Sequence, residues 1–334
     1  RQMCIRDRVT DEAGNLGAVS GTFTVTVDAI PPTAPTIALV TDDVGSITGT
    51  LTTGARTDDT NLAVRVSLAN TGVLSGDQVQ LFNGASTMGL AVTLTDADLT
   101  AGYIVLATGL LNEATYSINA KLIDVSGNAS TASTSIAITV DTTAPSAPAI
   151  AFATDNIGVF TGTLASGARS DDTNLAVRVS LAATGAVAGD SIRLYSGATL
   201  LGTAVVLSSL DITNGHVTVA TGVLTDATHA LNAVVTDIAG NASPNSASFT
   251  VTVDTVAPNA PTVVSVTDDV GTITGQLAPS ARTDDTNLTV RIGLTGTGAL
   301  SGDSVRLYSV NTAIGASIVL TATEIANGYV DVAT

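Results

Sequence analysis

The residues of this chain that could do chemistry are aspartates, and they return at a fixed interval of 113 residues. Asp28 recurs as Asp141 and Asp254, Asp42 as Asp155 and Asp268, and Asp58 as Asp171 and Asp284. A second aspartate follows the last of these sets at Asp59, Asp172 and Asp285, and Asp43 follows Asp42. Asp124 and Asp237 open copies of a D-x-x-G-N loop that ends at Asn128 and Asn241. Carboxylates gathered with amide and carbonyl oxygens are what a hard divalent cation needs, since calcium takes about six to eight oxygens in a flexible shell. An aspartate before glycine can also serve only as a turn former, and either role fits any single one of these residues. The doubled carboxylates of TDDT (57–60), SDDT (170–173) and TDDT (283–286) are harder to explain by turns, because adjacent like charges repel.

Other chemistries lack an equivalent set. His216 and His229 stand in one repeat only, where the others carry Tyr103, Tyr329 and Tyr116, so they read as exchangeable strand positions rather than general bases. The expectation is a protein that is not an enzyme. Glycine-rich NTGVLSG (70–76) has no lysine and no helix after it, which argues against a phosphate cradle. Arg56, Arg169 and Arg282 precede the doubled aspartates and are expected to hold the acidic loop by ion pairs. The formal charge of −17, with Lys121 the sole lysine, disfavours nucleic acid and anionic lipid as partners. No apolar run has the length of a membrane span.

The elements that must position these aspartates are strands. In residues 29–141, APTIALV (34–40), NLAVRVSLA (61–69), GDQVQLF (76–82), MGLAVTL (88–94), GYIVLAT (102–108), TYSINAKLID (115–124) and SIAITVD (135–141) alternate apolar and polar residues. Glycine, aspartate, asparagine and serine turns separate them, and no stretch shows sustained helical periodicity. Seven alternating strands per repeat predict an all-β chain of tandem immunoglobulin-like antiparallel β-sandwiches, head to tail, without the Cys–Trp–Cys hallmark; a jelly roll is the alternative. The predicted divisions are 1–8, a non-native or artefactual segment (RQMCIRDR) that breaks the pattern; 9–28, the tail of a preceding repeat; 29–141 and 142–254, complete repeats; and 255–334, a truncated repeat. An odd strand count places the loop after the first strand at the pole where the last strand ends. That pole gathers Asp42, Asp43, Asp58, Asp59 and Asp141, and it faces Asp237 and Asn241 of the next repeat. Asp28 with Asp124 and Asn128 repeats the arrangement upstream, and Asp155, Asp171, Asp172, Asp254, Asp268, Asp284 and Asp285 supply the acidic half downstream.

The phrases ITVDTTAPSAP (138–148) and VTVDTVAPNAP (251–261), together with DVSGNAS (124–130) and DIAGNAS (237–243), resemble the immunoglobulin-like repeats of giant bacterial surface adhesins exported by type I secretion. The resemblance covers the chain from Val9 onward. It implies a secreted, cell-surface extender segment serving adhesion or biofilm formation, with Ca2+ bound near the junctions and neighbouring repeats as partners. Host or surface glycans would then be met by domains outside this chain. The alternative is that the repeats themselves bind a glycan or self-associate.

Overall fold

The computed structural model describes residues 1–334, and the chain divides into two compact units, Arg1–Asp254 and Thr255–Thr334. The first unit opens with β1 (Gln2–Ile5) and β2 (Phe23–Thr26), an antiparallel pair with Gln2 opposite Thr26. The first complete repeat then contributes β3 (Thr36–Asp42), β4 (Gly49–Thr50), β5 (Ala55–Thr57), β6 (Ala63–Ser67), β7 (Gln78–Asn83), β8 (Ser86–Thr93), α1 (Asp96–Ala101), β9 (Tyr103–Ala107), β10 (Ala114–Ile123) and β11 (Ile136–Val140). One sheet has the order β4-β3-β6-β9 and the other β5-β11-β10-β7-β8. Residues 149–253 repeat both sheets with the same order. This is a tandem of immunoglobulin-like sandwiches.

The alternation explains the core. Leu62, Val64, Val66 and Leu68 point inward from one sheet, and Val79, Leu81, Ile118, Leu122 and Ile138 meet them from the other. The second repeat builds its own cluster from Leu175, Val177, Val179, Ile192, Leu194, Leu231 and Val251. Each such leucine or isoleucine contributes about 1.5–3 kcal/mol by leaving water, so each complete repeat carries its own source of stability.

Two expectations change. Two extra strands, β4 and β5, lie in the polar stretch 41–60, giving nine strands rather than seven in a complete repeat. β5 runs parallel to β11, with Thr57 opposite Val140, so its pairing depends on a strand distant in sequence and its polar residues carry no local pattern. A short helix also appears in each repeat, at Asp96–Ala101, Ser209–Asn214 and Ala322–Asn327. Each spans six residues, too few for periodicity to show, but each has a capping box (Thr95 with Asp98, Ser208 with Asp211, Thr321 with Glu324) and a left-handed glycine at its end. Within the segment 1–8, Gln2 pairs with Thr26 just as Thr115, 113 residues on, pairs with Thr139.

The second unit has a four-stranded sheet built around Thr289–Gly293 and a two-stranded sheet of Ser304–Ser309 with Thr312–Val319. The positions of β5 form no strand at 281–283, as expected where no counterpart of β11 is present to pair with. Its buried core is correspondingly small: Val290, Ile292, Leu294, Leu307, Leu320, Val330 and Val332. A two-stranded sheet is marginal alone. Residues 255–334 in isolation should therefore melt broadly, whereas residues 142–254 should give a sharp transition. A sharp two-state melt of 255–334 by circular dichroism would contradict this strand count.

Candidate functional site

The parallel pairing of β5 with β11 brings the doubled aspartates to the linker: the amide of Asp141 donates to the Thr57 carbonyl at 2.9 Å. Asp58 and Asp59 thus leave β5 beside the end of the repeat. The turn after β3 folds over them, because Gly45 (φ +75°) leaves room for the Asp58 carboxylate where any Cβ would overlap Oδ2. The same carboxylate covers Gly158 in the second repeat (Asp171) and Gly271 in the third (Asp284).

The D-x-x-G-N loop of the second repeat closes this pole from the other side. The Asp58 amide donates to the Ala239 carbonyl at 3.2 Å, and Ser46 Oγ donates to the Gly240 carbonyl at 2.8 Å. Asn241 Nδ2 donates to the Asp141 carbonyl at 2.8 Å, and Asn128 Nδ2 makes the matching bond to Asp28 at 3.3 Å. The junction contact therefore recurs one repeat upstream.

Most of the carboxylates at this pole are already engaged. Asp42 accepts from Val44 N and Thr57 Oγ1, and Asp59 accepts from Asn61 N and Asp43 N. Asp155 and Asp172, and Asp268 and Asp285, accept from the equivalent partners in their repeats. Asp237 accepts from Gly240 N, Asn241 N and Asn241 Nδ2, and Asp124 is held likewise by Asn128. The Asn128 side chain draws the Asp124 carboxyl below its usual range. Asp141 accepts from Arg56 at 2.8 Å and Asp254 from Arg169 at 3.4 Å, so the arginines pair with the linker aspartate rather than with the acidic loop. Asp28 accepts from Ile30 N, and Asp43 lies exposed. In these residues the turn and capping role is realised.

Asp58 differs. Its Oδ1 is buried without a hydrogen-bond partner, which is costly for an ionised oxygen. Burial pushes its carboxyl above the usual range, and the charges of Asp42, Asp237 and Asp59 push it further. Asp171, which no D-x-x-G-N loop covers in this unit, is exposed. No three acidic or histidine side chains converge closely enough to hold a metal ion by themselves. The backbone carbonyls of Ala239 and Gly240, which accept from Asp58 N and Ser46 Oγ, also lie at this pole, and carbonyl oxygens suit a hard cation. Around the pole an unpartnered carboxylate oxygen thus lies in the field of Asp42, Asp59 and Asp237, while Arg56 is paired with Asp141.

A cleft of about 370 Å³ opens beside the pole, lined by Arg56, Asp141, Thr143, Asp190, Asp237 and Ile238. Asp190 is buried and accepts from Val187 N and Ile238 N, tying the turn before its own strand to the D-x-x-G-N loop. Asp77 does the same through Leu74 and Val125. With Asp303 these two aspartates also recur at the 113-residue interval. Sequence reasoning missed the glycines beneath Asp58, although Gly45, Gly158 and Gly271 each precede their aspartate by the same 13 residues. The histidines are engaged in the scaffold: His229 bonds the Thr225 carbonyl and Ser196, where Tyr116 bonds Asn112, and His216 lies between Asn214 and Arg178.

No family model matches the chain. A stretch of 152 residues, 42% of the chain, is 34% identical to Exoglucanase B of Cellulomonas fimi, of whose length it spans 12%. Among solved structures, the fibronectin(III)-like modules of Clostridium thermocellum CbhA are similar at 13% identity and a TM-score of 0.41, over 65% of this chain and 94% of that one. A Ca2+-stabilized adhesin that helps an Antarctic bacterium bind ice is similar at 19% identity and a TM-score of 0.36, over 100% of this chain and 72% of that one. These structural likenesses are remote, and the fold follows from the strand pairing itself.

Proposed function

We propose that this chain is a structural extender segment of a secreted bacterial surface adhesin, and that calcium rigidifies its repeat junctions. The observation that carries the reading is the buried, unpartnered Oδ1 of Asp58 beneath the D-x-x-G-N loop of the following repeat. A cation there would be held by the Asp58 carboxylate and the carbonyls of Ala239 and Gly240, in the field of Asp42, Asp59 and Asp237. Bound calcium would offset the repulsion among Asp58, Asp42, Asp59 and Asp237. The protein does the rest: Gly45 admits the carboxylate, Asn241 fixes the linker carbonyl, and Asp190 holds the loop in place.

A spacer is the use that fits repetition without a reactive side-chain set. Two prolines or a proline-containing linker follow each junction aspartate, at Pro31–Pro32, Pro145 and Pro258, and they limit bending. Adhesion and biofilm roles, and a place at the cell surface, belong to this proposal.

Residues 29–254 should be longer on average with calcium than with chelator, because the bridged pole restricts the hinge. Small-angle scattering tests this directly. Identical scattering profiles in both conditions would remove calcium from the junction.

A further inference from the structure

We propose that the outer face of the β4-β3-β6-β9 sheet, in the first two repeats, binds a glycan through a single terminal sugar acid. One arginine recurs at the centre of this face as Arg65, Arg178 and Arg291. In the third repeat its guanidinium rests on the Tyr329 ring, 3.9 Å from the centroid. There Nε and Nη2 donate to the two carboxylate oxygens of Asp331, both at 2.7 Å. Asp331 is the cross-strand neighbour of Arg291. This is a complete bidentate carboxylate seat, open to solvent, with its guanidinium steadied by an aromatic ring.

The first repeat keeps the seat and lacks the carboxylate. Arg65 lies 3.6 Å from the Tyr103 centroid, its cross-strand neighbour is Val105, and it donates no hydrogen bond to the protein. In the second repeat the neighbour is Thr218. Arg178 packs 5.5 Å from the Phe152 centroid, and only its Nη2 is engaged, by His216. The Arg65 fork is therefore preordered on its ring with its donors unspent, and Arg178, steadied by Phe152 and His216, keeps Nε and Nη1 unspent, which lowers the entropy cost of gripping a carboxylate from outside.

Three features select the occupant. Leu39 and the 54% exposed Val105 flank Arg65 on the sheet, and Phe152 and Thr218 flank Arg178; such surfaces take the C–H face of a pyranose. β6 is paired on both sides, by β3 and by β9, so no backbone edge is free to pair with a peptide there. The net charge of −17 repels a polyanion but penalises a glycan whose only charge is one carboxylate far less.

The test uses the full chain and saturation-transfer NMR titrations with sialyllactose, with lactose as the control lacking the carboxylate. Sialyllactose should bind in the millimolar range, about tenfold more tightly than lactose, the scale of one charge-assisted bidentate pair. Combining Val105→Asp with Thr218→Asp supplies both seats with the pairing of the third repeat and should cost about tenfold in affinity. Both positions are exposed, and an unchanged melting curve checks the fold. Arg65→Gln with Arg178→Gln should lose the same amount, whereas Asp331→Val should add a third binding site. Absence of sialyllactose binding, equal affinity for lactose, or binding undiminished after both seats are filled would overturn the proposal.

Discussion

Residues 29–254 should melt about 5–10 °C higher in calcium at one hundred times its dissociation constant than in chelator, since selective binding to the native state adds about 2.7 kcal/mol. The pH dependence should reverse between the two conditions. Burial and the neighbouring carboxylates raise the Asp58 carboxyl above 3.8 in the docked junction, so that junction takes up a proton more readily than an open one does. Without cation, docking is then weakest at neutral pH and strengthens as pH falls through the raised value toward 3.8. Asp190, raised by burial within its own repeat, acts in the same sense on the folding of that repeat. Asp124 opposes it only lower down: its carboxyl is drawn below 3.8, so its contribution is kept above that pH and lost beneath it. With calcium bound, protons compete for the same oxygen, and acidification should lower the melting temperature. Asp58→Asn should remove the calcium increment and flatten the pH response in chelator. Parallel pH profiles with and without calcium would show that Asp58 does not sense the cation.

The scaffold was legible because its signals are local. Alternation at Leu62, Val64, Val66 and Leu68 fixes which face of β6 is buried whatever lies opposite, and all four are buried. The odd parity of the strands placed Asp58 on the pole that meets residues 239–241, and the hydrogen bonds of Asp58 and Ser46 lie there. What was not legible depends on register between distant segments. The pairing of Thr57 with Val140 makes β5 a strand, yet nothing in ARTDDT announces it. The same holds for the stack of Arg65 on Tyr103, which requires knowing that Ser67 pairs with Tyr103. Sequence spacing likewise could not distinguish Asp42, whose oxygens are taken by Thr57 and Val44, from Asp58, whose Oδ1 is left alone.

One such register-dependent position should have a large effect on stability. The strand Thr199–Val206 closes the seam between the two sheets of the second repeat, and Gly202 (φ +53°) lies directly against a strand of the opposite sheet. A Cβ there would sit 2.5 Å from the Ala220 carbonyl oxygen, and Gly222 faces it across the seam. Gly89 occupies the same position against Ala107 in the first repeat, with a Cβ distance of 2.9 Å. Gly197 (φ +60°), in the hairpin just before, shares the left-handed backbone but has no atom within 4 Å of its Cβ position. Gly197→Ala should therefore cost only the conformational term, about 1 kcal/mol. Gly202→Ala adds an overlap with backbone that cannot swing aside, so the sheets must part at the seam. Its cost should reach about 3 kcal/mol or more, in the range where core overpacking and backbone strain combine. Urea denaturation of residues 142–254 measures both. Equal losses for the two variants would mean that the seam relaxes freely and that strand 199–206 is held by its hairpin alone.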